Sequence, residues 1–241
     1  MMRVSIIVVA GLALALSASG AQAGWSGCRI GVQGGVVDAA ASLTKNPGSV
    51  QALLKPKAAS VTGGVEMGCD FGLPLMVVGF GASYDFMNAT QRKSSTVATG
   101  VAPFQTTRSV TVDSHSRGIA ALSGRAGFDI GPILLFGRVG FAMAPQTSHY
   151  NLTIATPFTG TTSTDLAASQ WRAGLLLGLG AEMQLGATVV KLEYDYYEFG
   201  TRNALMKGLY NAPMFGKLPV SLPMGNKFTV GALRAGVAYR F

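Results

Sequence analysis

The chain has 241 residues, 49% of them hydrophobic and only 12% charged, with 32 glycines and a formal net charge of +8. That length suits a single domain. After Gly24 no stretch approaches the roughly 18 unbroken apolar residues of a spanning helix, which excludes a helical membrane bundle and leaves a soluble all-β protein or a membrane barrel.

Arg3 followed by the apolar run 4–16 and then Ala21-Gln22-Ala23 reads as a cleavable signal peptide over 1–23. Cleavage is expected between Ala23 and Gly24, so 24–241 is the expected barrel domain. Beyond that point the informative signal is alternation. A strand facing lipid on one side and the barrel interior on the other places apolar residues at every second position.

The first strand is expected over about 25–37, with Cys28, Ile30 and Val32 outward. The second, about 63–73, turns Val65, Met67, Cys69 and Phe71 outward and Glu66 and Asp70 inward. The third, about 75–87, carries Val78, Phe80 and Tyr84 outward and Asp85 inward. The fourth ends near 129, with Ser123, Arg125, Gly127 and Asp129 inward. The fifth, about 133–143, has Leu135, Val139 and Phe141 outward and Arg138 inward. The sixth, 170–185, is the cleanest: Trp171, Leu175, Leu177 and Leu179 alternate with Arg172, Gly178, Gly180 and Glu182. The seventh, 187–196, opposes Val190, Leu192 and Tyr194 to Lys191, Glu193 and Asp195. The eighth, 228–241, opposes Leu233, Val237 and Tyr239 to Arg234, Gly236 and Arg240. A helix would scatter these charges around its circumference, whereas a strand gathers them on one side.

Eight strands, joined by short links at 72–74, 130–132 and 185–186 and by long ones at about 38–61, 88–116, 144–168 and 198–227, predict an all-β fold. It is a closed eight-stranded antiparallel up-and-down transmembrane β-barrel preceded by a cleavable signal peptide. The long, polar links are expected outside the cell.

The expected interior carries seven cations (Arg29, Arg125, Arg138, Arg172, Lys191, Arg234, Arg240) and seven anions (Glu66, Asp70, Asp85, Asp129, Glu182, Glu193, Asp195). A barrel of this size is just wide enough for side chains to fill it. An unpaired buried charge costs several kcal/mol, so the balance predicts a salt-bridged plug rather than an open channel. The remaining charge is a basic excess in the loops. It suits outer-membrane lipid and the phosphates of lipopolysaccharide, and it argues against nucleic acid for a surface outside the cell.

No cofactor, metal or catalytic group is expected. Asp113-Ser114-His115 invites a serine-hydrolase reading, but sequence neighbours in a strand alternate faces. His115 and His149 have no nearby ligand cluster for a metal, and haem ligation by either is a minor reading. A hairpin centred near residue 48.5 sets Cys28 opposite Cys69. Both a disulfide and two free apolar thiols at the lipid face remain open.

Four motifs carry a family resemblance. Trp25-Ser26-Gly27-Cys28-Arg29-Ile30-Gly31 resembles the opening Trp-x-Gly-x-Tyr-x-Gly strand of small opacity-type surface antigens, a porin-family group of eight-stranded barrels similar to outer membrane protein A. The segments 123–128 and 134–142 resemble the family's central hairpin, 191–200 its seventh strand, and 234–241 its final strand. Cys28 and Arg29 stand where the family has first-strand aromatics, and Ser123 replaces the first arginine of its central pair. The resemblance implies a non-catalytic, structural or surface-exposed role. Some relatives are porin-like and others bind haem or host surfaces, which supplies the alternative of a small-solute porin or a ligand-binding barrel. Tyr239-x-Phe241 resembles the signal read by the barrel-assembly machinery. A monomer is expected.

Overall fold

A computed structural model describes residues 24–44, 57–100, 104–157, 160–212 and 216–241. The expected signal peptide 1–23, Ala23 included, lies outside the described residues. Eight strands follow in order: β1 (Gly27–Thr44), β2 (Lys57–Leu73), β3 (Met76–Thr99), β4 (Thr106–Ile130), β5 (Ile133–Thr156), β6 (Gly160–Leu185), β7 (Thr188–Ala212) and β8 (Gly216–Arg240). Each pairs antiparallel with its neighbours, and β8 closes onto β1.

The registers set the barrel's geometry. Starting at Arg29 and stepping through Gly68, Gly81, Ser123, Gly140, Leu176, Tyr197 and Val230, the ladder returns to β1 at Ala39. The ring is therefore staggered by ten residues (39 − 29), and strand number and stagger together fix tilt and radius.

At one end the links are two-residue turns. Gly131 and Gly186 take positive φ (65° and 64°), which suits glycine, while Leu75 after Pro74 takes φ 72° without that freedom. The opposite end departs from the sequence expectation. Segments 88–116, 144–168 and 198–227, expected as loops, are largely strand, and β3 runs to Thr99, β5 to Thr156 and β7 to Ala212. Above the lipid both faces of a strand meet polar surroundings, so the two-sided contrast fades although the hydrogen-bond ladder continues. Part of the remaining expected loop, 45–56, lies outside the described residues.

The register shifts mark that boundary. They fall between Phe86 and Ala89, Ser116 and Ala120, Ala167 and Leu175, and Glu198 and Thr201. These positions fall at one ladder level on either side of the continuous β5–β6 pairing, and bulges of this kind re-aim side chains at barrel rims. Below that level Ile30, Met67, Phe80, Leu122, Val139 and Leu177 stand exposed on the outer face. Such a surface is stable only against hydrocarbon.

The interior is stacked in layers. Trp25, Val77, Leu134, Phe136, Val189 and Ala238 form an apolar layer at the tight-turn end. Trp25 precedes β1 and folds into that mouth, its indole N–H donating to the Gly131 carbonyl at 3.3 Å. A second apolar layer lies toward the far end and includes Ile119, Leu176, Tyr197, Phe199 and Phe228. Arg29, Arg125, Lys191 and Arg234 lie with their carboxylate partners between the two.

Candidate functional site

The inward phase of β1 to β8 delivers ionic side chains to one level, with the close-packed backbone they need supplied by glycine. A Cβ at Gly178 would meet the Asp195 carboxylate and Arg138 Cγ, and one at Gly79 would meet the Asp70 carboxylate. Small residues at these positions leave room for the long side chains of neighbouring strands.

Arg125 is the clamp of the half nearer the tight turns. It donates to both oxygens of Asp70 (2.7 and 2.6 Å) and to both of Glu182 (2.6 and 3.0 Å). This is the two-pronged geometry that suits guanidinium to carboxylate. Asp70 also receives Arg29 at 2.7 Å and Arg240 at 3.0 Å, so three arginines converge on one carboxylate.

Lys191 bridges to the other half by pairing with both Glu66 and Glu193. There Glu193 is held by Arg138 at 3.1 Å and Arg234 at 2.8 Å. Asp195 pairs with Arg138 and Arg234 and accepts the Tyr197 hydroxyl at 3.2 Å. Asp85 pairs with Arg234 and accepts the Gln33 amide at 2.6 Å.

The network thus joins six cations (Arg29, Arg125, Arg138, Lys191, Arg234, Arg240) to six anions (Glu66, Asp70, Asp85, Glu182, Glu193, Asp195). Aromatic faces tie it to the flanking layers. Arg125 lies over Phe136 and Arg240 over Trp25, each 4.9 Å from the ring centroid, and Arg234 over Tyr197 at 5.9 Å. Such contacts contribute about 0.5–2 kcal/mol each when desolvated.

Two expected members lie elsewhere. Asp129 keeps the inward phase of β4 but sits next to the turn at Gly131, where the wall ends, and is exposed to solvent. Arg172 is fully buried opposite Ala144 on β5, at the level of the second apolar layer.

Sequence reasoning missed Gln33, Tyr197 and the aromatic layer. The signal was present in β7, where Tyr197 and Phe199 continue the phase of Lys191, Glu193 and Asp195. The strand was expected to stop at 196, so the phase was not followed.

The cysteines are joined. Cys28 and Cys69 face each other across β1 and β2 and form a disulfide, with S–S 2.05 Å. Cys28 exchanges both backbone hydrogen bonds with Phe241, the residue after β8 (3.0 and 2.8 Å). On its β2 side it therefore occupies a non-hydrogen-bonded pair, the kind in which opposing side chains come closest. Tyr239 on β8 lies opposite Ile30 on β1, and Phe241 is exposed at the end of that seam.

The hydrolase reading fails on geometry. Ser114 points inward, accepting from the Gln146 amide at 2.7 Å. His115 points outward, its Nδ1 3.1 Å from the Thr90 hydroxyl. Asp113 shares that outer face and pairs with Arg92 at 3.4 Å. Nucleophile and base are thus on opposite sides of the wall. Among the described residues no group of three or more potential ligands could hold a metal. Outward on the extended hairpins, hydroxyls pair across strands, as in Ser94–Thr111 (3.1 Å) and Thr96–Ser109 (3.2 Å).

A family model described as outer membrane protein beta-barrel domain matches residues 7–241. No curated protein matches the chain. Solved structures similar to it include OprG from Pseudomonas aeruginosa, at 13% identity and TM-score 0.43, covering 92% of this chain and 100% of that one. Another is Ail, the attachment invasion locus protein of Yersinia pestis, at 12% identity and TM-score 0.38, covering 90% and 99%. The outer membrane protease OmpT of Escherichia coli is similar at 9% identity and TM-score 0.36, covering 89% and 97%. At these scores no activity is carried from them to this chain.

Proposed function

The chain belongs to the outer membrane protein β-barrel domain family, and from that premise we propose that it is a non-catalytic structural barrel, sealed to solutes, which supports the envelope and presents extended hairpins to the exterior. It is an integral outer-membrane protein that crosses with strands. On this reading the chain is exported behind a signal peptide cleaved before Gly24, inserted through recognition of Tyr239 and Phe241 by the barrel-assembly machinery, and works as a monomer. Its partners are outer-membrane lipid and the phosphates of lipopolysaccharide, approached by its basic outer surface. Nucleic acid, cofactor and metal have no part in it.

One observation carries the proposal: a self-neutralised ionic layer lies between two apolar layers. The void among Arg29, Glu66, Arg125 and Arg138 has a volume of about 10 Å³, the space of a single water. A hydrated ion passing this level would have to part several buried pairs at once. Each broken pair leaves an uncompensated buried charge, at about 3–5 kcal/mol.

Planar-bilayer recording tests the seal. Purified, refolded protein is expected to give no discrete current steps, and reproducible single-channel openings would replace this reading with that of a small-solute porin. A strain lacking the protein is expected to become more sensitive to detergents. An envelope of unchanged resistance would remove the structural role.

A further inference from the structure

The interface between β1 and β2 has no tight turn to set its register. β2–β3, β4–β5 and β6–β7 are each joined by a two-residue turn, which dictates pairing. β1 and β2 are joined instead through residues 45–56, a length that leaves register free. Their side chains offer little discrimination. On the inward face the pairs Arg29–Gly68, Gly31–Glu66, Gln33–Gly64 and Gly35–Thr62 each contain a glycine, and the outward pairs Ile30–Met67 and Val32–Val65 are apolar side chains that a shifted register would pair with other apolar ones. Cross-strand side-chain contact, the usual determinant of pairing, is absent in the glycine pairs, and glycine-rich strands are prone to slip.

A slip of one residue would turn charges into lipid and is strongly opposed. A slip of two keeps every side chain on its proper face, and lipid cannot oppose it. With the other interfaces unchanged, it would alter the ten-residue stagger of the ring by two, and hence the radius and tilt of the barrel. In either direction it would also carry Gln33 away from Asp85, a contact of 2.6 Å.

We propose that Cys28 and Cys69 are a register pin, an oxidation site at which a disulfide-bearing oxidant of the periplasm locks β1 against β2 before β8 closes the ring. The thiolate of one cysteine attacks the oxidant's disulfide, breaking its S–S bond and forming a mixed disulfide. The second thiolate attacks that bond, forming Cys28–Cys69 and releasing the oxidant as a dithiol. The oxidant takes up the electron pair, and the two thiol protons end on its sulfurs. The position suits the task. Cys28 is also the residue whose backbone makes the last seam bonds with Phe241, so pinning it aligns the edge that β8 must find.

The test moves the pin. The mature chain is refolded into phospholipid vesicles in a glutathione/glutathione-disulfide buffer. Closed barrel is scored by its altered mobility before boiling, and thiols by alkylation and mass spectrometry. C28A/C69A is expected to give several-fold less closed barrel than the oxidised wild type. In C69A/M67C and C69A/F71C the displaced bond is expected to form and to reduce closure below that of C28A/C69A, with recovery to the C28A/C69A level under reductant. The proposal is overturned if C28A/C69A closes as fast and as fully as the oxidised wild type. It is also overturned if the displaced pairs stay as free thiols in fully closed barrels. If the displaced variants fail under reductant too, the comparison of C28A/C69A with wild type decides alone.

Discussion

Replacing Arg125 by methionine removes the clamp of the ionic layer, and the structure says where the loss falls. Asp70 keeps Arg29 at 2.7 Å and Arg240 at 3.0 Å. Among the described residues Glu182 keeps only Arg29, at 3.8 Å, beyond hydrogen-bond reach. A buried carboxylate is thereby left without its donor, at about 3–5 kcal/mol. Glu182→Met leaves Arg125 clamped to Asp70 through two hydrogen bonds, so its loss is smaller, about 1–3 kcal/mol. The double variant R125M/E182M strands neither charge and is expected to recover at least about 2 kcal/mol relative to R125M. Urea titration of the refolded barrel in phospholipid vesicles, read by the mobility difference between folded and unfolded forms, measures all four corners of this cycle. Additive losses, or an R125M midpoint equal to wild type, would refute the view that this layer is a coupled network.

Trp25→Ala removes the indole bond to Gly131 and the face beneath Arg240 and is expected to lower stability by about 3 kcal/mol. Bilayer recordings should nonetheless stay silent, because the ionic layer still seals the interior, and current steps would show that Trp25 is the plug. Gly178→Val forces a side chain against Asp195 and Arg138 and should lose about 3 kcal/mol or more. In the same urea assay Gly137→Ala, whose Cβ would make only ordinary contacts with Leu179 at 3.7 Å and the Gly178 carbonyl at 3.9 Å, should change stability by under about 1 kcal/mol; equal losses at both sites would contradict the packed interior. Phe241→Ala keeps the backbone bonds to Cys28 and should refold in vesicles with a change under about 1 kcal/mol, while the amount inserted in cells falls. Parallel losses in both assays would show that the ring acts through stability rather than through recognition.

The alternation of β6, β7 and β8 was legible because lipid and barrel interior differ so sharply that every second residue reports its side. The same contrast located Arg29, Arg125, Glu182 and Glu193 inside, and the even balance of charge foretold that they would be paired. Above the lipid that contrast disappears, so the outer lengths of β3 to β8 carry strand backbone without a strand signature. Asp129 shows a second limit: phase tells which side a residue takes but not how near it lies to the end of the wall.

The medium on each face of the sheet therefore determined, from sequence alone, that this chain is a barrel and which charges line it. Only the tertiary structure decided which charge meets which. Arg125 finds Glu182 57 positions away because the ten-residue stagger tilts the strands and brings unrelated levels together. It also decided that Cys28 and Cys69 are bonded and that aromatic layers cap the ionic one. Those outcomes depend on register and closure, which are properties of the whole ring and not of any strand within it.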